Sequence, residues 1–264
     1  PEDRPKTAMN IGGKRYQWRV MPMGITNGPP QFQKMMDKVL EGLDCCQCYV
    51  DDILIGSRGD IEEELLENHR RDVESVLQRM RQYGLVAEVS KTAFFARRVE
   101  FCGHILEGGA RRPQEGKSVA IENYSAPTTL KELRSFLGLC NYYSGYVRNY
   151  AKIAAPLMEM LKGVTKDGNQ RSSQIKLKTW GYEQEKAFLE LKKELTTAVP
   201  VQLMDQSKPV FLSPDASNFA VGVAMQQKPC DCPLDSQGIP TCNCPLRPIA
   251  LYSRKLAAAQ KNWT

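Results

Sequence analysis

Residues 15–20 (Arg-Tyr-Gln-Trp-Arg-Val) alternate polar and apolar, the period of a half-buried strand. A Gly- and Pro-rich stretch follows from Pro22 to Pro30, where each proline disfavours helix in the residue before it. From Gln31 the apolar residues Phe32, Met35, Met36, Val39, Leu40 and Leu43 recur at helical spacing. Residues 46–56 read as two short apolar runs on either side of Asp51 and Asp52, which predicts a hairpin with two carboxylates at its tip.

The next segment predicts the longest helix. Asp60 and Glu63 form a capping pair, Leu66, His69, Val73, Val76, Leu77, Met80 and Tyr83 share a face, and Gly84 supplies the stop. Residues 99–106 show a short strand pattern around Gly103. A second capping box, Thr129 with Glu132, opens a helix carrying Leu133, Phe136, Leu137, Cys140 and Tyr143 on one side, with a continuation through Tyr146, Val147 and Ile153 to a kink or break at Pro156. Residues 163–179 are polar and read as a linker. A short helix through Phe188, Leu191 and Leu195 and a strand at Pro209–Leu212 come next. Between the strand patterns Ala220–Met225 and Arg247–Ser253, the Cys- and Pro-rich residues 226–248 read as a loop inserted in a hairpin.

Composition narrows the class. With 42% hydrophobic and 25% charged residues in 264, the chain is globular and long enough for two small domains. The net charge of +6 suits a polyanionic partner but does not identify one. Nine cysteines cannot all pair within one chain. Cys45, Cys46, Cys48, Cys102 and Cys140 lie in apolar or periodic segments, as free thiols do in a reducing compartment. The charged start opens no signal peptide, and no apolar run approaches the roughly 18 residues of a membrane span. An intracellular setting, cytoplasm or nucleus, is expected, with no membrane partner. Both ends look cut.

The chemistry centres on Tyr49-Val50-Asp51-Asp52. Nucleotidyl transfer by two metals needs carboxylates converging on hard divalent ions, and adjacent acids at a braced hairpin tip provide them. An Asp pair is also ordinary in a surface turn. Context decides between the two. The run Arg19–Gln33 (Arg-Val-Met-Pro-Met-Gly-Ile-Thr-Asn-Gly-Pro-Pro-Gln-Phe-Gln) precedes it. After it come Phe101-Cys102-Gly103-His104, Leu130–Tyr143, Trp180–Leu195, Pro214-Asp215-Ala216-Ser217 and Tyr252–Leu256. In this order the motifs resemble the reverse transcriptase and ribonuclease H of gypsy-type long-terminal-repeat retrotransposons, over nearly the whole chain apart from the cysteine-rich loop.

The resemblance implies an α+β fold: a reverse-transcriptase palm, its antiparallel sheet packed on helices, over 1–125 and a helical thumb over 126–162. A connection over 163–205 would lead to the first strands of a ribonuclease H-like α/β domain over 206–264, with the cysteine-rich insertion at 228–246. It implies RNA-directed DNA polymerase activity with Mg²⁺, or Mn²⁺ in its place, on an RNA/DNA primer–template duplex and deoxynucleoside triphosphates. Asp51 matches the metal-binding palm aspartate, Asp52 its neighbour, and Asp215 the first metal-binding acid of a ribonuclease H site. Met23, Gly24, Asn27, Pro29 and Gln33 match the segment that contacts nucleotide and template. Lys91 stands where the family has a lysine near the triphosphate, a proton donor when partly buried, although a solvated loop residue reads equally well. Phe101, Cys102, Gly103 and His104 match the primer grip. Gly138 and Tyr142 match the thumb positions that follow the duplex minor groove, with Tyr143 in the core. Arg134 and Arg148 either reach phosphates or are simply solvated.

Two departures remain. The family's first palm aspartate, most of its fingers and the later ribonuclease H acids match nothing in these 264 residues, so the resemblance implies a piece of a larger protein or a decayed copy. Cys230, Cys232, Cys242 and Cys244 form two Cys-x-Cys pairs. They read as a zinc site, although structural zinc usually spaces each pair by two to four residues, or as disulfides, or as a plain surface loop. Three functions therefore stay open: a polymerase with attached ribonuclease H, an inactive remnant that still binds duplex, and a zinc-dependent interaction module.

Overall fold

The computed structural model describes residues 2–161, 177, 180–217, 220–230, 232–233, 235, 241–257 and 260. Two compact units divide at Ala96/Arg97. The expected linker 163–179 falls outside the described residues except for Leu177, whose N–H donates to Thr128 C=O (3.1 Å).

The first unit opens with a hairpin, β1 (Met9–Ile11) and β2 (Lys14–Tyr16). Its turn, Gly12-Gly13, has positive φ at both positions, the geometry that fits strand twist. The strand expected over 15–20 is thus shorter and shifted: by Trp18 the backbone N–H is bonded to Thr7 Oγ1 (3.0 Å) rather than to a strand. Helix α1 runs Gly28–Val39, three residues earlier at its start than the apolar period indicates. Pro29 and Pro30 sit in its first turn, where a missing N–H costs nothing. Strands β3 (Cys46–Tyr49) and β4 (Asp52–Ile55) form the expected hairpin, Tyr49 facing Asp52.

Helix α2 spans Glu62–Gln82. Asp60 N–H is braced by Glu64 (3.2 Å) rather than Glu63. At the other end Leu85 N–H bonds Met80 C=O and Gly84 N–H bonds Arg81 C=O, a Schellman closure on a glycine at φ +70°. Of the expected stripe, Val73, Val76 and Met80 are buried, while Leu66, Leu77 and Tyr83 stay exposed. Met36, Val39, Leu40, Val76 and Met80 form the core, with Ile53 and Ile55 of the hairpin packed against it.

The second unit begins with β5 (Arg98–Phe101), β6 (His104–Glu107) and β7 (Ala110–Pro113). The pattern at 99–106 is therefore two strands, because Cys102 and Gly103 both adopt positive φ and turn the chain back. Helix α3 (Glu115–Glu122) leads to α4 (Leu130–Tyr142), opened by the capping box: Glu132 N–H donates to Thr129 Oγ1, and the Glu132 carboxylate accepts from Thr128 and Thr129. The expected continuation to Pro156 is broken earlier. A 3-10 turn at Ser144–Tyr146 and a left-handed Asn149 precede α5 (Tyr150–Ile153), and the break expected at Pro156 falls just before it, between α5 and α6 (Ala155–Glu159), with Pro156 in the first turn of α6.

Helix α7 (Tyr182–Thr196) and β8 (Val201–Gln202) follow, β8 pairing antiparallel with β7. A three-stranded antiparallel sheet, order β11-β10-β9, completes the unit: β9 (Phe211–Ala216), β10 (Ala220–Gln227) and β11 (Arg247–Lys255). Its core joins Phe136, Leu137 and Cys140 of α4 and Tyr143 at its C-cap to Phe188, Leu191 and Leu195 of α7, and includes Ile121 of α3. Segment 97–125, grouped with the palm in the sequence, is thus held by α4 and α7. Among the described residues no helix is long and apolar enough to cross a membrane.

Candidate active site

Asp51 and Asp52 stand exposed at the β3–β4 tip. The turn carries positive φ at Val50 (+56°). A positive φ at the first central residue is the type II′ pattern, which favours glycine, so a β-branched residue there is strained. Gln33 of α1 holds the turn: its Oε1 accepts from Val50 N–H (2.6 Å), and its Nε2 donates to Cys48 C=O (3.1 Å) and to Asp37 (2.7 Å). Burial, then the charges of Asp37, Asp51 and Asp52, push the Cys48 thiol upward. Three carboxylates therefore act on one end of the hairpin. Asp37 carries no motif of its own; only its place one helical turn after Gln33 links it to the turn.

The other expected nucleotide and template residues lie just before and within the start of α1. Met23 is fully exposed, Gly24 has φ +83°, Asn27 is the N-cap, and Pro29 is in the first turn. Lys91 ends a 3-10 turn, Val89–Lys91, and is exposed, so the partial burial that suits a proton donor is not found there.

In the second unit, two sites that the sequence kept apart come together. The Tyr143 hydroxyl donates to Gly103 C=O (2.8 Å), and the Tyr142 hydroxyl bonds Cys102 C=O. The His104 ring stacks on Tyr142 (5.4 Å, 13°), and its Nδ1 lies 2.9 Å from the Tyr146 hydroxyl. Phe101 closes the pairing of this hairpin opposite His104. Burial first, and then Arg111, lowers the His104 pKa, and burial raises Tyr146 to about 12. Tyr143 is buried, as expected of a core residue, and Tyr142 is exposed. Gly138, one helical turn before Tyr142, is exposed with open space where a side chain would stand. Arg134 and Arg148 are exposed.

Asp215 lies near the end of β9, facing Gly222 of β10, and its carboxylate accepts from Asn149 (3.3 Å). A small cleft there is lined by Arg148, Ser213, Asp215 and Tyr252, among others. In the cysteine-rich connection, the sulfurs of Cys230, Cys232 and Cys242 lie 2.9–3.4 Å apart, with Cys244 close by. Thiol hydrogen bonds from Cys230 and Cys232 pull Cys242 down to about 6.

Comparison with known proteins fits this geometry. Residues 1–106 match the family described as reverse transcriptase (RNA-dependent DNA polymerase), and residues 180–235 match the RNase H-like domain found in reverse transcriptase. Over 99% of its length the chain is 31% identical to the Retrovirus-related Pol polyprotein from transposon opus and 29% identical to that from transposon gypsy, both of Drosophila melanogaster. It is also 31% identical to the Transposon Tf2-3 polyprotein of Schizosaccharomyces pombe, again over 99% of the chain. It spans 24%, 23% and 18% of these relatives. The fold matches foamy viral protease-reverse transcriptase solved with double-stranded DNA (TM-score 0.75, 22% identity, 100% of this chain and 41% of that one). It also matches the same enzyme solved with an RNA/DNA hybrid (TM-score 0.73, 24% identity, 98% and 31%). The two family matches, together with similarity over 99% of the chain, identify it as a reverse transcriptase segment followed by an RNase H-like segment, similar to part of the retrotransposon Pol polyproteins.

Proposed function

We propose that this chain forms the later palm, primer grip and thumb of an intracellular RNA-directed DNA polymerase, followed by the opening strands of its ribonuclease H. The observation that carries the reading is the Asp51–Asp52 tip, held by Gln33 and supplemented by the charge of Asp37. Exposed carboxylate oxygens on a braced turn suit a hard cation. Asp51 and Asp52 would hold Mg²⁺, or Mn²⁺ in its place. When bound, such ions polarise phosphoryl oxygens and lower the pKa of an attacking hydroxyl.

The chain's own contribution is positioning. The loop before α1, with Met23 and Gly24, would face the incoming deoxynucleoside triphosphate and the template. The Phe101–His104 turn, clamped by Tyr142 and Tyr143, would hold the primer end, and the Gly138–Tyr142 face would lie along the minor groove. Asp215 would be the first acid of the ribonuclease H site.

Extension of a labelled DNA primer on an RNA template with Mg²⁺ tests the reading, with Asp51→Asn as the control. Extension lost in the variant supports polymerase chemistry at this turn. Salt-sensitive duplex binding without extension from either protein supports the binding surfaces and assigns the chain as a remnant. A chain that neither extends the primer nor binds the duplex would refute the proposal.

A further inference from the structure

The connection between β10 and β11 occupies residues 228–246, far longer than the usual 2–5 residues of a hairpin loop. A long closure costs entropy that a crosslink between its arms would lower. Four cysteines sit where such a crosslink would act, two on each arm. The Cys230 sulfur is 3.4 Å from that of Cys232 and 2.9 Å from that of Cys242, and Cys232 and Cys242 are 2.9 Å apart. The sulfurs of Cys230, Cys242 and Cys244 all lie within 4.8 Å of one another.

Zinc thiolates have bonds near 2.3 Å, so a tetrahedron of them has edges of roughly 3.8 Å, longer by less than about 1 Å than the separations among Cys230, Cys232 and Cys242 and within the 4.8 Å limit that holds Cys230, Cys242 and Cys244. The Cys-x-Cys spacing is therefore no obstacle, because the backbone already brings sulfurs two residues apart together. The arms are fastened beside the cluster: the Thr241 N–H and hydroxyl both donate to Pro233 C=O (3.0 and 3.1 Å). Lys208 holds Pro229 C=O (3.0 Å) from β9's side of the sheet. Lys228 Nζ bonds Cys242 C=O and lies 3.7 Å from the Cys242 sulfur, where a cation offsets the excess negative charge of four thiolates around a divalent ion. The donor set is all soft sulfur, which favours zinc over the hard cations of the polymerase site. Four protein ligands leave no open position, which makes the site structural.

We propose that Cys230, Cys232, Cys242 and Cys244 bind one zinc ion that closes the β10–β11 insertion, the thiol protons passing to solvent as the metal enters. This site is independent of the polymerase reading, and its test leaves primer extension aside.

The full chain, purified without a metal-affinity tag and under reducing conditions, is assayed for zinc by mass spectrometry and for thiols with a colorimetric reagent. About one zinc per chain is expected, with four thiols protected until a chelator is added. Cys242→Ser and Cys232→Ser should lose most of the metal, while Cys45→Ser should retain it. Because a variant can fail to fold, cobalt is also exchanged into the wild-type chain. It should show the sulfur-to-metal charge-transfer and d–d bands of a tetrahedral tetrathiolate. Wild-type protein without metal, with the four cysteines either freely reactive or joined in disulfides, overturns the proposal, as does a cobalt spectrum of octahedral oxygen ligation.

Discussion

Replacing Gln33 by alanine removes the brace of the Asp51–Asp52 turn without touching either carboxylate. Two of its hydrogen bonds reach the hairpin, at Val50 N–H and Cys48 C=O; the third, to Asp37, stays within α1. Each bond to the hairpin contributes about 0.5–1.5 kcal/mol net, so their joint loss costs about 2 kcal/mol. That is comparable to the roughly 1–2 kcal/mol of strain of a non-glycine residue in the left-handed region, where Val50 sits at φ +56°. Without Gln33 the turn has little reason to keep its shape. Amide hydrogen exchange followed by NMR reads this locally: about 2 kcal/mol corresponds to a roughly thirtyfold loss of protection at Val50, with α2 unaffected. Val50→Gly in the Gln33→Ala background should restore part of the protection elsewhere in the hairpin by relieving the strain. Unchanged exchange at Val50 in Gln33→Ala would refute the brace.

Four further outcomes concern the second unit. Tyr143→Phe should cost about 1 kcal/mol by removing the hydroxyl bonded to Gly103 C=O, and Gly103→Ala about 1–2 kcal/mol, since φ is +72° and a Cβ would meet the Tyr143 hydroxyl at 3.3 Å; chemical denaturation measures both. Hydrogen bonds from Thr128, then from Thr129, hold the Glu132 carboxyl below the usual range. Its contribution to stability is therefore full above the unfolded pKa of about 4.3 and is lost as pH falls through the lower folded value. Glu132→Gln should flatten that acid limb of a thermal-melt pH series. Burial pushes the Cys140 thiol up to about 12, so it should resist alkylation at pH 8 in the native chain and react only on unfolding, as peptide mass mapping would show.

Local signals were legible in the sequence. The apolar runs around Asp51 and Asp52, the Thr129–Glu132 box and the glycine stop at Gly84 each lie within a few residues of what they control, and each appears in the structure. The Gly12-Gly13 hairpin carried a usable turn signal that the alternation at 15–20 obscured. Long-range contacts were not legible. Gln33 bonds a turn 17 residues away, Tyr142 and Tyr143 at the end of α4 reach carbonyls 40 residues back, and Asn149 meets Asp215 across 66 residues. No periodicity encodes such meetings. The helix through Tyr146 was over-extended for the same reason: Tyr146 and Val147 are apolar because they fill a shared core, not because a helix continues through them.

The pairing of β10 with β11 slips between Met225 and Gln226: Met225 faces Ala250, but Gln226 faces Pro248, so Ile249 is the extra residue. Such a bulge bends and twists the strand that carries it. Here it sits between the regular ladder and the start of the cysteine-rich connection. Below it, every pair from Ala220↔Lys255 to Met225↔Ala250 is in simple register. The bulge therefore marks where the regular ladder ends: the register carrying Asp215 opposite Gly222 lies wholly on one side of it, and the cysteine-rich connection lies on the other. A change in the length of that connection acts beyond the bulge, so it leaves the pairing around Asp215 in place.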